Sequence, residues 1–182
     1  MLLTLAYFAH MMTFYFLVKW IPKIVVDLGF APAAAGGVLV WTNVGGATGS
    51  IALSLLTQRF GVRPLVIGAM LCGAVAVAAF GQGFTTLAQL SMIGCIGGFF
   101  TNGATAGLYA VIAQSFPASL RAGGTGLVIG VGRAGAALGP IMAGVLFSSG
   151  WGLSPVALVL GCGTLCGGIA LSLVRYRENV IA

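Results

Sequence analysis

Long apolar stretches, separated by short segments rich in Gly, Pro and charged residues, fill nearly the whole chain. Six of them qualify as spans, at residues 2–26, 33–56, 65–80, 86–115, 123–147 and 155–174. About 20 mostly apolar residues are needed to cross a hydrocarbon core about 30 Å thick, and these runs suit that length. They are continuously apolar rather than alternating, which excludes the strands of a closed barrel, the other architecture that satisfies its backbone in lipid. The expected fold is an all-α membrane protein with six transmembrane helices, forming a single domain over residues 1–182. Local signals mark the ends. Pro64 suits the first turn of the third helix, Thr85 or Thr86 can cap the fourth, and Pro117 stops it. Ser154-Pro155 reads as a cap followed by a first-turn proline. Gly139-Pro140 predicts a bend in the fifth span, because proline frees a carbonyl.

Composition agrees with lipid as the solvent. Hydrophobic residues make up 59% and charged residues 5%, against roughly 25% charged in soluble domains. The net charge of +6 comes from basic residues scattered at span edges, so it is no nucleic-acid footprint. Arg59 and Arg63 follow span two, Arg121 follows span four, and Arg175 and Arg177 follow span six. The opposite connections, near 27–32, 81–85 and 148–154, lack Lys and Arg. That asymmetry places both termini on the cytoplasmic side. The first span lacks the basic leader and short apolar run of a cleaved signal peptide. Cys72, Cys95, Cys162 and Cys166 fall in apolar runs without His or acidic neighbours. They read as buried packing residues, with no metal or disulfide.

Glycines recur four apart, as Gly45/Gly49, Gly94/Gly98, Gly103/Gly107, Gly126/Gly130, Gly135/Gly139 and Gly163/Gly167. Such faces allow close helix approach in lipid. Arg133 is the most informative position. It sits about ten residues, or about 15 Å, into span five, where a charge normally faces a polar cavity or a partner. The acids of the chain, Asp27 and Glu178, lie in a connection and in the tail. The guanidinium therefore requires an anionic ligand or a carboxylate on another polypeptide. Lys19 and Lys23 can snorkel outward, and Lys23 can pair with Asp27. His10 reads as a packed, hydrogen-bonded histidine, with a proton carrier as the alternative. Asn102, Thr105 and Tyr109 on span four, and Trp41, Thr42, Asn43 and Thr48 on span two, form polar faces directed to the bundle interior. With Tyr15 they are candidates to line a substrate path.

Two stretches carry a resemblance. Ser54-Leu55-Leu56-Thr57-Gln58-Arg59-Phe60-Gly61-Val62-Arg63 is similar to the G-x-L-x-D-R-x-G-R-R motif between helices eight and nine of the major facilitator superfamily. Ser54, Gln58 and Val62 replace Gly, Asp and the first of the paired Arg, while Arg59, Gly61 and Arg63 remain. Gln114-Ser115-Phe116-Pro117 through Arg121, then Gly130-Val131-Gly132-Arg133-Ala134-Gly135 and Gly139-Pro140, resembles a signature of the aromatic acid/proton symporters. The opening Tyr15-Phe16 through Trp20-Ile21-Pro22 resembles the seventh helix of the same family. The resemblance implies one half of such a transporter, helices seven to twelve, in a cell membrane of bacterial inner-membrane type. It implies that Arg133 meets a substrate carboxylate, and that Arg59, Gly61, Arg63 and Arg121 belong to gating loops.

The expected function is secondary transport of a small organic anion, an aromatic carboxylate, by proton symport when joined to an N-terminal half. The alternatives are a drug or metabolite exporter of the same superfamily and a truncated, non-functional remnant. No enzyme is expected, since the sole His has no evident Ser partner and no G-x-S-x-G run occurs. Membrane lipid, the organic anion, protons and an N-terminal half or second copy are the expected partners. No cofactor is implied.

Overall fold

The computed structural model describes residues 1–174, and their regular structure is helical throughout. The elements are α1 (Leu2–Asp27), α2 (Pro32–Leu56), α3 (Val62–Phe80), α4 (Leu87–Gln114), α5 (Arg121–Gly132), α6 (Ala134–Ser148) and α7 (Leu153–Leu173). Segments α5 and α6 run on as one span, Arg121–Ser148, so the described residues contain six helices long and apolar enough to cross a membrane. Arg175 and Arg177 lie outside the described residues, as does Glu178.

The helix ends mostly follow local chemistry, and the structure departs from expectation in three respects. Thr86 caps α4, its side chain accepting from the Gln89 N–H at 3.3 Å. Helix α3 starts at Val62 and keeps Pro64 in its first turn. Helix α7 instead begins at Leu153 with Gly152 as its cap, so Ser154 does not cap it. The Ser154 hydroxyl meets Gln82 Nε2 at 3.3 Å and ties the α3–α4 connection to the start of α7. The break in the fifth span falls at Arg133 rather than at Gly139-Pro140. There the Ala136 N–H bonds the Arg133 carbonyl at 2.9 Å, a three-residue closure that tightens the turn. Pro140 lies inside α6, and its carbonyl accepts from Trp20 Nε1 at 3.2 Å. The third departure concerns the cysteines. Cys72, Cys162 and Cys166 are exposed and Cys95 is half-buried. A lipid-facing surface is as apolar as the core, so burial is not required of them.

Helix α2 packs along α4, α1 lies between α6 and α7, and α3 bridges α4 and α7. Glycine makes these approaches possible. A side-chain carbon on Gly45 or Gly49 would collide with the α4 backbone at Cys95 and Phe99, and one on Gly135 or Gly139 would collide with α1 at Phe8 and Met12. Lipid gives apolar helices no reason to associate, so backbone-to-backbone contact carries the cohesion. Gly126 and Gly130 differ, facing open space.

The interior is stratified. One apolar cluster gathers Phe16, Ile21, Val38, Phe80, Leu90 and Leu160; a second gathers Tyr7, Met70, Leu108, Ile112 and Leu171. The buried polar residues His10, Thr13, Thr101 and Thr164 lie between them along α1, α4 and α7. Thr13 donates to the Leu160 carbonyl and accepts from the Thr164 N–H at 2.9 Å. Those are groups that pair with each other in a regular helix, so the Thr13 hydroxyl enters the hydrogen-bond ladder of α7.

Overpacking at the α2–α4 contact costs about 1–3 kcal/mol. Gly49→Val should therefore lower the thermal unfolding temperature in detergent by several degrees. Gly37→Ala, on a face with open space, should leave it unchanged or raise it. Equal behaviour of the two variants would contradict this packing.

Candidate functional site

Arg133 stands where α5 gives way to α6, twelve positions beyond Arg121, or about 18 Å along the span. Its neighbours Gly126 and Gly130 leave the surface beside it empty, and the Arg133 side chain is exposed. The guanidinium nevertheless turns toward the bundle. It interacts with the hydroxyls of Tyr109 on α4 and Tyr7 on α1. Those hydroxyls lie 3.1 Å apart and their rings meet at 5.8 Å between centroids. Tyr7 is fully buried and packs on Gly132, where any side chain would strike its ring. The tyrosine pair and the missing Cβ at Gly132 thus set how closely α5 approaches α1 beside the arginine.

No carboxylate among the described residues completes the arrangement. Among the described residues the sole ion pair is Lys23 Nζ to Asp27 Oδ2 at 2.6 Å, at the far end of α1. Phenolic hydroxyls are neutral neighbours and leave the charge of Arg133 in place. A charge at this depth with neutral partners and open volume beside it favours an incoming anion. The pair of oriented hydroxyls adds donors and acceptors of its own.

The other sequence candidates divide. Tyr109 joins Arg133. Asn102 lies seven positions earlier on α4, about 10 Å away along the helix axis, partly exposed and seated against Gly46 of α2. Tyr15 lies about 12 Å from Tyr7 along α1, half-buried, with its ring edge-on to Phe14 at 5.3 Å. The structure does not bring Trp41 and Asn43 to Arg133. Trp41 is exposed and lines an apolar groove with Leu87, Met92 and Ile96 of α4, and Ile96 is about 20 Å along the helix from Tyr109. Asn43 and Thr48 were expected to face the interior; both are exposed. Each satisfies its donor within α2, Asn43 Nδ2 to the Leu39 carbonyl at 2.8 Å and Thr48 Oγ1 to the Val44 carbonyl at 2.9 Å. Bonding back to the preceding turn removes the need for an inward partner.

In the first turn of α3, Arg63 Nη2 donates to the Leu171 and Ser172 carbonyls, both at 2.8 Å. It caps the end of α7, where carbonyls lack helical partners. Arg59 and Arg121 are exposed. Gly61 has φ −57° and precedes α3 as its cap, a conformation open to other residues. His10 is separate from the arginine site. Its Nε2 faces the Thr101 carbonyl at 3.0 Å, so that nitrogen carries the proton, and Nδ1 accepts from the Thr164 hydroxyl. A neutral ring satisfies every partner and ties α1, α4 and α7 together.

Tyr7 is the residue that sequence reasoning missed. Its hydroxyl falls in an otherwise apolar run, and the one available signal was its place on the same helix as Tyr15.

The family profile described as Major Facilitator Superfamily matches residues 3–180. The 3-(3-hydroxy-phenyl)propionate transporter of Escherichia coli is 29% identical over the whole chain, covering 45% of that protein. The benzoate transport protein of Acinetobacter baylyi is 33% identical over 78% of the chain and 30% of its own length. A 4-hydroxybenzoate transporter of Pseudomonas putida is 28% identical over 88% of the chain and 36% of its own length. The chain thus spans less than half the length of these relatives.

A guanidinium with neutral partners contributes little to folding. Arg133→Met should leave the unfolding temperature unchanged or raise it, whereas a loss above about 1 kcal/mol would make the arginine a structural tie. His10→Leu leaves the buried Thr164 hydroxyl without its acceptor, while the Thr101 carbonyl keeps the Thr105 hydroxyl, so it should cost about 1–3 kcal/mol in the same assay.

Proposed function

The chain belongs to the Major Facilitator Superfamily, and from that premise we propose that it forms one wall of a secondary transporter for small aromatic carboxylates. The observation that carries the reading is the exposed Arg133 guanidinium, held beside two tyrosine hydroxyls with no carboxylate to neutralise it. A benzoate-like acid supplies what this site lacks. Its carboxylate meets the two-pronged guanidinium in the geometry arginine suits best. Its ring lies over the open face left by Gly126 and Gly130, near the phenol of Tyr109. The names of the three relatives, each a carrier of an aromatic acid, support the same ligand class.

Transport in this reading needs a second six-helix half, on a longer protein, a separate polypeptide or another copy of this chain. Substrate sits between two such halves, which rock about it and expose it to each side in turn. Proton coupling is assigned to the other half, because the one acid among the described residues, Asp27, stands at the end of α1 in an ion pair with Lys23. The chain lies in the cell membrane with the α2–α3 and α4–α5 connections, carrying Arg59, Arg63 and Arg121, on the cytoplasmic side. Arg121 and Arg59 then stand at the cytoplasmic edges that separate and close. The family is one of carriers, so Arg133 binds and releases its ligand without bond chemistry.

Two outcomes test this. Titration of the purified chain with benzoate should give saturable binding that weakens roughly ten- to hundredfold in Arg133→Ala, the effect of removing a charge-assisted hydrogen bond. Binding indifferent to that change would contradict the site. In sealed vesicles the chain held as a monomer should move neither benzoate nor protons, and substrate-dependent proton uptake by the monomer would contradict the need for a second half.

A further inference from the structure

An apolar groove of about 290 Å³ opens on the outer surface between α2, α3 and α4, lined by Leu53, Leu56, Pro64, Gly68, Phe99 and Phe100. On α2 it extends from Gly49 to Leu56, about 10 Å, and it ends at the turn of residues 57–61 that joins α2 to α3. Its wall is interrupted at Gly68, where an added side chain would meet nothing within 4 Å. The groove is thus open where glycine withholds a side chain. Its closed end carries charge. Arg63 is engaged on the α7 carbonyls, but the Arg59 side chain is exposed and makes no ion pair among the described residues. Residue 58 is Gln, so the turn contains no acid to neutralise Arg59.

We propose that this groove is a specific site for one anionic phospholipid, with an acyl chain along α2, α3 and α4 and the phosphate headgroup on Arg59. The chemistry is complementary at both ends. The groove lies at hydrocarbon depth and has no polar lining to reward any other occupant, while Arg59 stands at the end of two spans, where headgroups lie. A zwitterionic lipid offers the same tail but sets a choline charge beside the phosphate, so the preference resides in the headgroup. The site is independent of the carboxylate reading, being formed by a different face of the bundle and by none of Arg133, Tyr7 or Tyr109.

Native mass spectrometry of the purified chain tests it, with dioleoyl-phosphatidylglycerol and dioleoyl-phosphatidylcholine supplied in equal amounts. One phosphatidylglycerol should be retained per chain with a preference of roughly fivefold, the factor expected for one basic side chain at the interface. Arg59→Gln should bring the preference close to one while leaving tail-driven retention in place. Gly68→Leu should reduce retention of both lipids alike, since it fills the groove without touching the headgroup end. Equal retention of the two lipids by the unaltered chain, or a preference that survives Arg59→Gln, would overturn the proposal. So would retention unaffected by Gly68→Leu, or dimers without bound lipid, which would assign the groove to a second copy. The Arg59→Gln arm changes an exposed side chain and stands even if Gly68→Leu fails to fold.

Discussion

In a lipid solvent, burying apolar surface gives helices no reason to associate, and this constraint shapes the bundle. What remains is close backbone approach and the pairing of polar groups that cannot be left unsatisfied. The chain uses both. Gly45 and Gly49 admit the α4 backbone, Gly135 and Gly139 admit α1, and His10, Thr13, Thr101 and Thr164 fasten α1, α4 and α7 between two apolar clusters. Where glycine is present and no helix has come, at Gly126 and Gly130, the surface is open. The candidate site lies beside that opening.

The same rule sets the character of Arg133. The buried His10, Thr13, Thr42, Thr101 and Thr164 each have a partner in a neighbouring helix or in their own preceding turn, whereas the Thr125 hydroxyl of α5 is buried without one among the described residues. Arg133 has two phenols and an open side, so its charge stays uncompensated within the described residues. Tyr7 and Tyr109 stand beside the guanidinium, their hydroxyls paired and the Tyr7 ring wedged on Gly132. The interruption of the helix at Arg133 puts this group at the one place in the span where the backbone already departs from regularity. In the proposed reading a ligand must be held firmly enough to be selected and loosely enough to be released, and neutral phenols beside a single cation suit that requirement.

Much of this was legible in the sequence because a membrane simplifies the code. Span number and approximate ends follow from apolar length, Thr86 from its capping chemistry, and Arg133 from the improbability of a lone charge in lipid. The less legible features depend on tertiary contact. Ser154 has the makings of a cap, yet Gly152 takes that place and Ser154 bonds Gln82 across the bundle. The polar residues of α2 suggest an inward face, but Asn43 and Thr48 fold back on their own helix and need no partner. Tyr7 carries no signal in an apolar run, since its role exists only once α4 and α5 come beside it. The break at Arg133 precedes the proline that pointed to one.

The central claim is that the Arg133 guanidinium makes direct contact with a substrate carboxylate. Solid-state NMR dipolar recoupling on chain reconstituted in lipid, with ¹⁵N-labelled arginine and benzoate carrying ¹³C in its carboxyl group, measures that contact without relying on transport. The account predicts carboxyl dephasing by guanidinium nitrogens at hydrogen-bonded range, abolished in Arg133→Met. Bound benzoate that shows no such dephasing, or shows it equally in Arg133→Met, would contradict it.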